Sequence, residues 1–168
     1  IVIFVCVCQT NINTQLLLLN MVEERRQGYL SELRQVAREH GVFPYVAFSA
    51  SRGDVREVYA HSDLILQLST RPESFGRVVA EALCIGRPVL GYDHGGVGEL
   101  LREHYPAGLV PPRDLDAAAA RVVALLKSAP AVDTDRVPKV ADMQRRTLAV
   151  YDELINGSAP DPSCVLPR

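Results

Sequence analysis

The sequence predicts an α/β fold, a Rossmann-like three-layer sandwich built on a parallel sheet. Three observations carry this expectation. Short apolar runs suited to buried strands alternate with longer segments whose apolar residues recur at three- and four-residue spacing. Glycine and proline punctuate the junctions, as at Gly86 and Pro88 or at Pro111 and Pro112. Across residues 69–101 the order is loop, helix, strand, glycine turn, helix, which is half of a parallel α/β unit.

Residues 1–7 are continuously apolar and suit a central parallel strand, with Cys6 and Cys8 on one face of it. Residues 9–15 are polar and read as loop. The apolar run at 16–19 is too short to place. A helical pattern spans 23–40, with Tyr29, Leu30, Leu33, Val36 and Ala37 on one face and Gly41 as its stop; the charged run 23–26 reads as a solvated face. Residues 42–48 suit a strand that carries Pro44 near its start. Asp54 is placed to cap a short helix to Tyr59, and a strand follows at 64–68.

In the central stretch Val78, Val79, Ala82, Leu83 and Ile85 give a helix that Gly86 ends. Residues 89–92 form a buried strand. Gly95, Gly96 and Gly98 make a turn, and a further helix starts at Glu99. Beyond it, 108–110 is a last strand. Asp114 caps a helix to Lys127 with Leu115, Ala119, Val122, Val123 and Leu126 as its buried stripe. A final helix covers 134–155, interrupted near Pro138, with Val140, Met143, Leu148, Tyr151, Leu154 and Ile155 apolar. The folded domain is therefore expected at residues 1–155, and 156–168, rich in proline and serine, as a disordered tail.

Composition narrows the function. A chain of 168 residues, 48% hydrophobic, supports one domain with a sizeable core. A net charge of −2 argues against a general nucleic-acid binder. The four cysteines have no zinc-ligand spacing and read as buried thiols, which points to a reducing cytoplasm. No run reaches the roughly 18 apolar residues of a membrane span. Residues 1–8 lack the basic flank of a signal peptide, and the absence of an initial Met reads as a fragment or excised domain.

The chemistry concentrates at two turns. Helix N-termini carry unpaired amides and a partial positive charge. A phosphate at Phe75 and Gly76, or at Gly95 and Gly96, would meet both, and glycine allows close approach. Glu73, ahead of the first of these helices, and Glu81, within it, would be repelled by phosphate. They suit acceptors for hydroxyl groups, one on a sugar and one on a ribose. The ligand so described has an anionic middle and hydroxylated ends: a sugar nucleotide. Arg77 is placed to pair with phosphate oxygens. Each residue also suits a purely structural role: Glu73 as a first-turn acid, Glu81 as an exposed helical glutamate, Phe75 as core, the glycines as a tight turn. His94 reads as a hydrogen-bonded structural histidine before a ligand contact. Arg52, in the loop 49–53, reads as an exposed arginine before a phosphate or base contact.

The segment Glu73-Ser-Phe-Gly-Arg-Val-Val-Ala-Glu81 resembles the E-x7-E signature of the family-4 (group 1) retaining glycosyltransferases, two-domain enzymes of the GT-B fold. Ala82-Leu83, Gly86-Arg87-Pro88-Val89, Gly95-Gly96, Glu99 and Leu109-Val110-Pro111-Pro112 continue the match, which covers roughly residues 29–126. The resemblance implies the C-terminal, donor-binding half of such an enzyme, transferring a sugar from a UDP- or GDP-type donor to a hydroxyl acceptor with retention. It implies Glu73 as the catalytic residue orienting the sugar, Glu81 on the ribose, and Phe75, Gly76, Arg77, Gly95 and Gly96 around the diphosphate, with no metal and no further cofactor. The loop 49–53 falls near the nucleotide base. An envelope polysaccharide or lipopolysaccharide acceptor, and peripheral membrane association of the full-length enzyme, go with it. The arginine and lysine that members carry toward the amino end have no counterpart in residues 1–21, and the acceptor-binding domain is missing, so this chain alone is expected to be inactive.

Two further functions fit the same residues: a non-catalytic sugar-nucleotide-binding domain, or a hydrolase using Glu73 and Glu81 as an acid/base pair. The hydrolase needs carboxylates facing each other across a cleft, and these two lie on one short segment. Asp114-Leu115-Asp116 and Asp133-Thr134-Asp135 spell a metal-binding D-x-D, yet each is expected at a helix start, where aspartates cap.

Overall fold

The computed structural model describes residues 1–10, 12–22, 27–137 and 139–156. Its elements in order are α1 (Val2–Cys8), β1 (Leu16–Leu18), α2 (Gln27–Glu39), β2 (Val46–Phe48), α3 (Val55–Ala60), β3 (Ile65–Gln67), α4 (Arg77–Cys84), β4 (Val89–Tyr92), α5 (Gly95–His104), β5 (Leu109–Val110), α6 (Leu115–Lys127) and α7 (Val140–Asn156). All strand pairing is parallel, as a chain of strand–helix units requires. The α/β class stands, with the ladders in two groups: β1 beside β2, and β4 between β3 and β5.

Strand β4 is the axis. All four of its residues are buried, which explains a sequence without polar alternation. Leu90 and Val89 are fully enclosed, with Leu83 of α4 and Leu101 of α5. Residues from β3, β4, β5 and helices α1, α3, α4, α5 and α6 make one continuous core. A smaller cluster gathers Phe4, Ala37, Val42 and Val46 beneath β1 and β2.

The largest correction concerns the amino end. The run expected as a central strand is helix α1. Its β-branched residues favour a strand only where a sheet edge receives them. Coiled as a helix, Ile3 and Val7 instead join the main core while Phe4 enters the smaller cluster, and the helix lies along α6. Packing thus overrides propensity. The parallel strand belongs to the short apolar run after it, β1, whose Leu16 to Leu18 pair with Val46 to Phe48. The expected strand at 42–48 starts late, because Phe43–Tyr45 form a 3-10 turn around Pro44.

Helix α5 begins at Gly95, four residues before the expected start, so the glycines are its first turn and not a connecting loop. Asp114 does cap α6, accepting from the Ala117 amide at 2.9 Å. Leu115, expected in the buried stripe, is exposed, and Ala118 and Leu125 take the inner face. The last helix begins at Val140, so Asp133 and Asp135 precede it in a turn. Leu148, Tyr151, Leu154 and Ile155 of α7 are all exposed. The expectations for 23–26, for Pro138 and for 157–168 fall outside the described residues.

Candidate functional site

The carboxyl ends of β3 and β4 open toward the same place. The loop from β3 runs through residues 68–76, and the short connection from β4 passes Asp93 and His94 into α5. In open parallel sheets this edge is where ligands are received. The two segments are tied together: His94 Nε2 donates to the Ser69 carbonyl at 3.0 Å, which fixes the tautomer with its proton on Nε2. The ring also meets Tyr92 edge-on, at 6.0 Å between centroids. His94 therefore has the structural role that its sequence context suggested.

The glycines explain how closely the loop can lie on α5. The Gly96 amide donates to the Glu73 carbonyl at 2.7 Å. A Cβ on Gly96 would stand 2.7 Å from both the Phe75 Cα and the Ser74 carbonyl oxygen, and one on Gly95 would stand 2.7 Å from the Glu73 carbonyl oxygen. Only glycine permits that contact. Gly96 thus acts through packing, and its amide is committed to the protein, whereas Gly95 stays exposed. Gly76 precedes α4 with a φ of 74°, a left-handed conformation that turns the chain into the helix.

Pro72, Glu73, Ser74, Phe75, Gly76 and Arg77 line an open cavity of about 440 Å³. Helix α4 starts at its wall, where Val79 and Ala80 are the amides already bonded back to the Gly76 carbonyl. The amides ahead of them carry the unsatisfied donors and positive end of the helix. Phe75 is 53% exposed and is not core; its ring stands at the rim.

Glu73 is held twice. Its backbone carbonyl is fastened to α5 by Gly96, and its carboxylate Oε1 accepts from the Gln67 side-chain amide at the end of β3. Sequence reasoning passed over Gln67. The available signal was one amide side chain inside the apolar run Leu64-Ile-Leu-Gln-Leu68.

Glu81 lies one turn past Arg77 on α4 and outside the cavity lining. Arg77 Nη2 donates to its Oε1 at 3.2 Å. The pair is exposed and contributes little to stability, yet it links Glu81 to the rim through Arg77. The charge of Glu81 also reaches Tyr59 of α3: burial pushes the Tyr59 hydroxyl above its ordinary value, the Glu81 charge adds to this, and Arg77 opposes it. Tyr59 is a second neighbour that the sequence alone did not flag.

Arg52 is occupied by Asp54, which it meets through two guanidinium hydrogen bonds. That pairing holds the Asp54 carboxyl below its usual range. It also explains why Asp54, although it precedes α3, makes no side-chain cap. Among the described residues no group of three or more metal-ligating side chains occurs. Asp114 is spent on its cap, and Asp133 accepts from the Asp135 amide at 3.2 Å. No helix among the described residues is long and apolar enough to cross a membrane.

Comparison with known proteins identifies the family and the fold. Residues 8–139 match the family model described as Glycosyl transferases group 1. A D-inositol 3-phosphate glycosyltransferase of Mycobacterium marinum is 36% identical over 98 residues, 57% of this chain and 21% of the relative. A glycosyltransferase from Rickettsia africae superposes with a TM-score of 0.76 at 17% identity, over 94% of this chain and 44% of that one. Anabaena HepE in complex with UDP-glucose superposes with a TM-score of 0.63 at 26% identity, over 89% of this chain and 44% of that one. The chain spans less than half the length of each of these proteins.

Proposed function

The chain belongs to the glycosyl transferases group 1 family and has the α/β fold of a GT-B half-domain, and from that premise we propose that it is the donor-binding part of a retaining glycosyltransferase. The observation that carries the proposal is the doubly fastened Glu73 at the mouth of a cavity walled by the start of α4. A carboxylate there accepts hydrogen bonds from sugar hydroxyls. The amides around Phe75 and Gly76 and the positive end of α4 receive the diphosphate, with Arg77 beside them. Gly95 adds the start of α5. Glu81 takes the ribose hydroxyls, which requires Arg77 to turn from Glu81 toward phosphate, a short swing for an exposed side chain.

In such a transfer the bond from the sugar to the diphosphate breaks as the acceptor hydroxyl bonds to the same carbon on the same face. A departing diphosphate oxygen takes the hydroxyl proton. No protein nucleophile is needed, and the protein contributes orientation and charge stabilisation. The HepE complex with UDP-glucose favours a uridine donor over a guanosine one. The acceptor and its binding domain would lie in sequence beyond this chain, as would the link to envelope polysaccharide or lipopolysaccharide and any peripheral membrane association.

Calorimetric titration of the 168-residue chain with UDP, UDP-glucose, GDP and GDP-mannose tests the assignment. Glu81→Ala should weaken every nucleotide that binds. Glu73→Ala should weaken only the sugar conjugates, by about tenfold, the scale of one hydrogen bond to a charged group. Equal affinities across wild type and both variants would remove the site. Turnover with an acceptor domain supplied, read by the anomeric configuration of the product, separates a retaining transferase from a domain that only binds.

A further inference from the structure

Resting on that reading of Glu73, we propose that Gln67 is the positioning residue that sets the orientation of the Glu73 carboxylate and so the recognition of the donor sugar. Gln67 is the last residue of β3, and it is paired with Gly91 of the fully buried β4. Its side-chain amide is therefore mounted on a strand paired with the buried β4. From there it crosses the start of the loop and donates to Glu73 Oε1. With the Glu73 backbone fastened by Gly96, the side chain is held at its root and at one carboxylate oxygen. Its other oxygen, Oε2, is the one assigned to a ligand hydroxyl.

The type of donor matters. An amide is neutral, so it fixes one carboxylate oxygen without a counter-charge that a sugar hydroxyl would have to displace. Glu81 shows the contrast, since its partner is the cation Arg77. The Gln67 amide has no titratable proton of its own. A carboxylate fixed before the ligand arrives spends less of its binding energy on ordering.

Isothermal titration of the 168-residue chain with UDP and with UDP-glucose tests this. Gln67→Met keeps the volume and removes the donor. Gln67→Glu keeps the shape and replaces the donor with a like charge. Both should lose about tenfold in affinity for UDP-glucose, with affinity for UDP changed less than about twofold. In a Glu73→Ala background the same changes should have no further effect, because the interaction acts through Glu73. Circular dichroism shows which variants fold, and either one alone suffices. Equal losses for UDP and UDP-glucose, or losses that persist without Glu73, would make Gln67 merely structural and overturn the proposal. Sugar discrimination lost in Glu73→Ala but intact in both Gln67 variants would overturn it while sparing the site. If Glu73→Ala itself left discrimination unchanged, the reading of Glu73 would fall, and this inference with it.

Discussion

Gly96 shows how a single hydrogen atom in place of a side chain holds a site together. Its amide fastens the Glu73 carbonyl, and the bare Cα lets the loop lie against the first turn of α5. Gly96→Ala would put a methyl group 2.7 Å from backbone atoms of Ser74 and Phe75, which cannot yield as a flexible side chain would. The loop must lift, taking Glu73 from Gln67. We expect Gly96→Ala to fold with stability lowered by about 1–3 kcal/mol, the range for forced overpacking. Its affinity for UDP-glucose should fall at least as far as that of Glu73→Ala, measured in the same titrations. Unchanged affinity would show that the loop finds its position without this contact. At this scale residue type and spacing drew attention to Glu73, Gly76 and Gly96, and the structure gives Gly96 a packing role in place of the phosphate contact expected of it. The sequence was silent on Gln67 and Tyr59, because a hydrogen bond between a strand end and a loop six residues on depends on how the loop turns back.

Among the elements, β4, α4 and α6 were legible because local pattern and tertiary role agree. Helices α4 and α6 show a helical period, β4 is a short unbroken apolar run, and a proline, glycine or aspartate marks an end of each. Helix α1 was not legible, because its apolar residues satisfy a strand and a helix equally and only the neighbouring α6 decides. The start of α5 was misplaced because glycine is a poor helix former, and the contact that makes it necessary comes from a distant loop. The same contrast between enclosed and open elements sets stability. Leu90 in β4 is fully buried, while Leu154 in α7 is 75% exposed. Leu90→Ala should cost about 2–5 kcal/mol in chemical denaturation. Leu154→Ala should stay within about 0.5 kcal/mol. A large loss at Leu154 would mean that α7 is covered in solution.

For the molecule as a whole, two buried phenols are expected to make stability depend on alkaline pH. Tyr59 and Tyr105 belong to the main core, and burial is the leading cause that raises both hydroxyls above their ordinary value. Tyr105 also donates to the Pro130 carbonyl at 3.2 Å, so its hydroxyl is needed as a proton donor. Tyr59 feels the Glu81 charge in addition, which penalises a second anion nearby. The sign follows from linkage: a group whose folded pKa lies above its unfolded one stabilises the fold fully below the unfolded value. That contribution disappears as pH rises through the folded value, since the unfolded chain sheds the proton first. Urea midpoints should therefore be insensitive to these phenols near neutrality and fall as pH passes about 10, the ordinary tyrosine value. Tyr59→Phe should flatten the fall, and so should Tyr105→Phe, although the latter also loses its bond to Pro130. Glu81→Gln, which removes a charge that acts on Tyr59, should reduce the Tyr59 share of the slope and leave that of Tyr105 intact. An alkaline slope unchanged by Glu81→Gln would show that the Glu81 charge does not act on the Tyr59 hydroxyl.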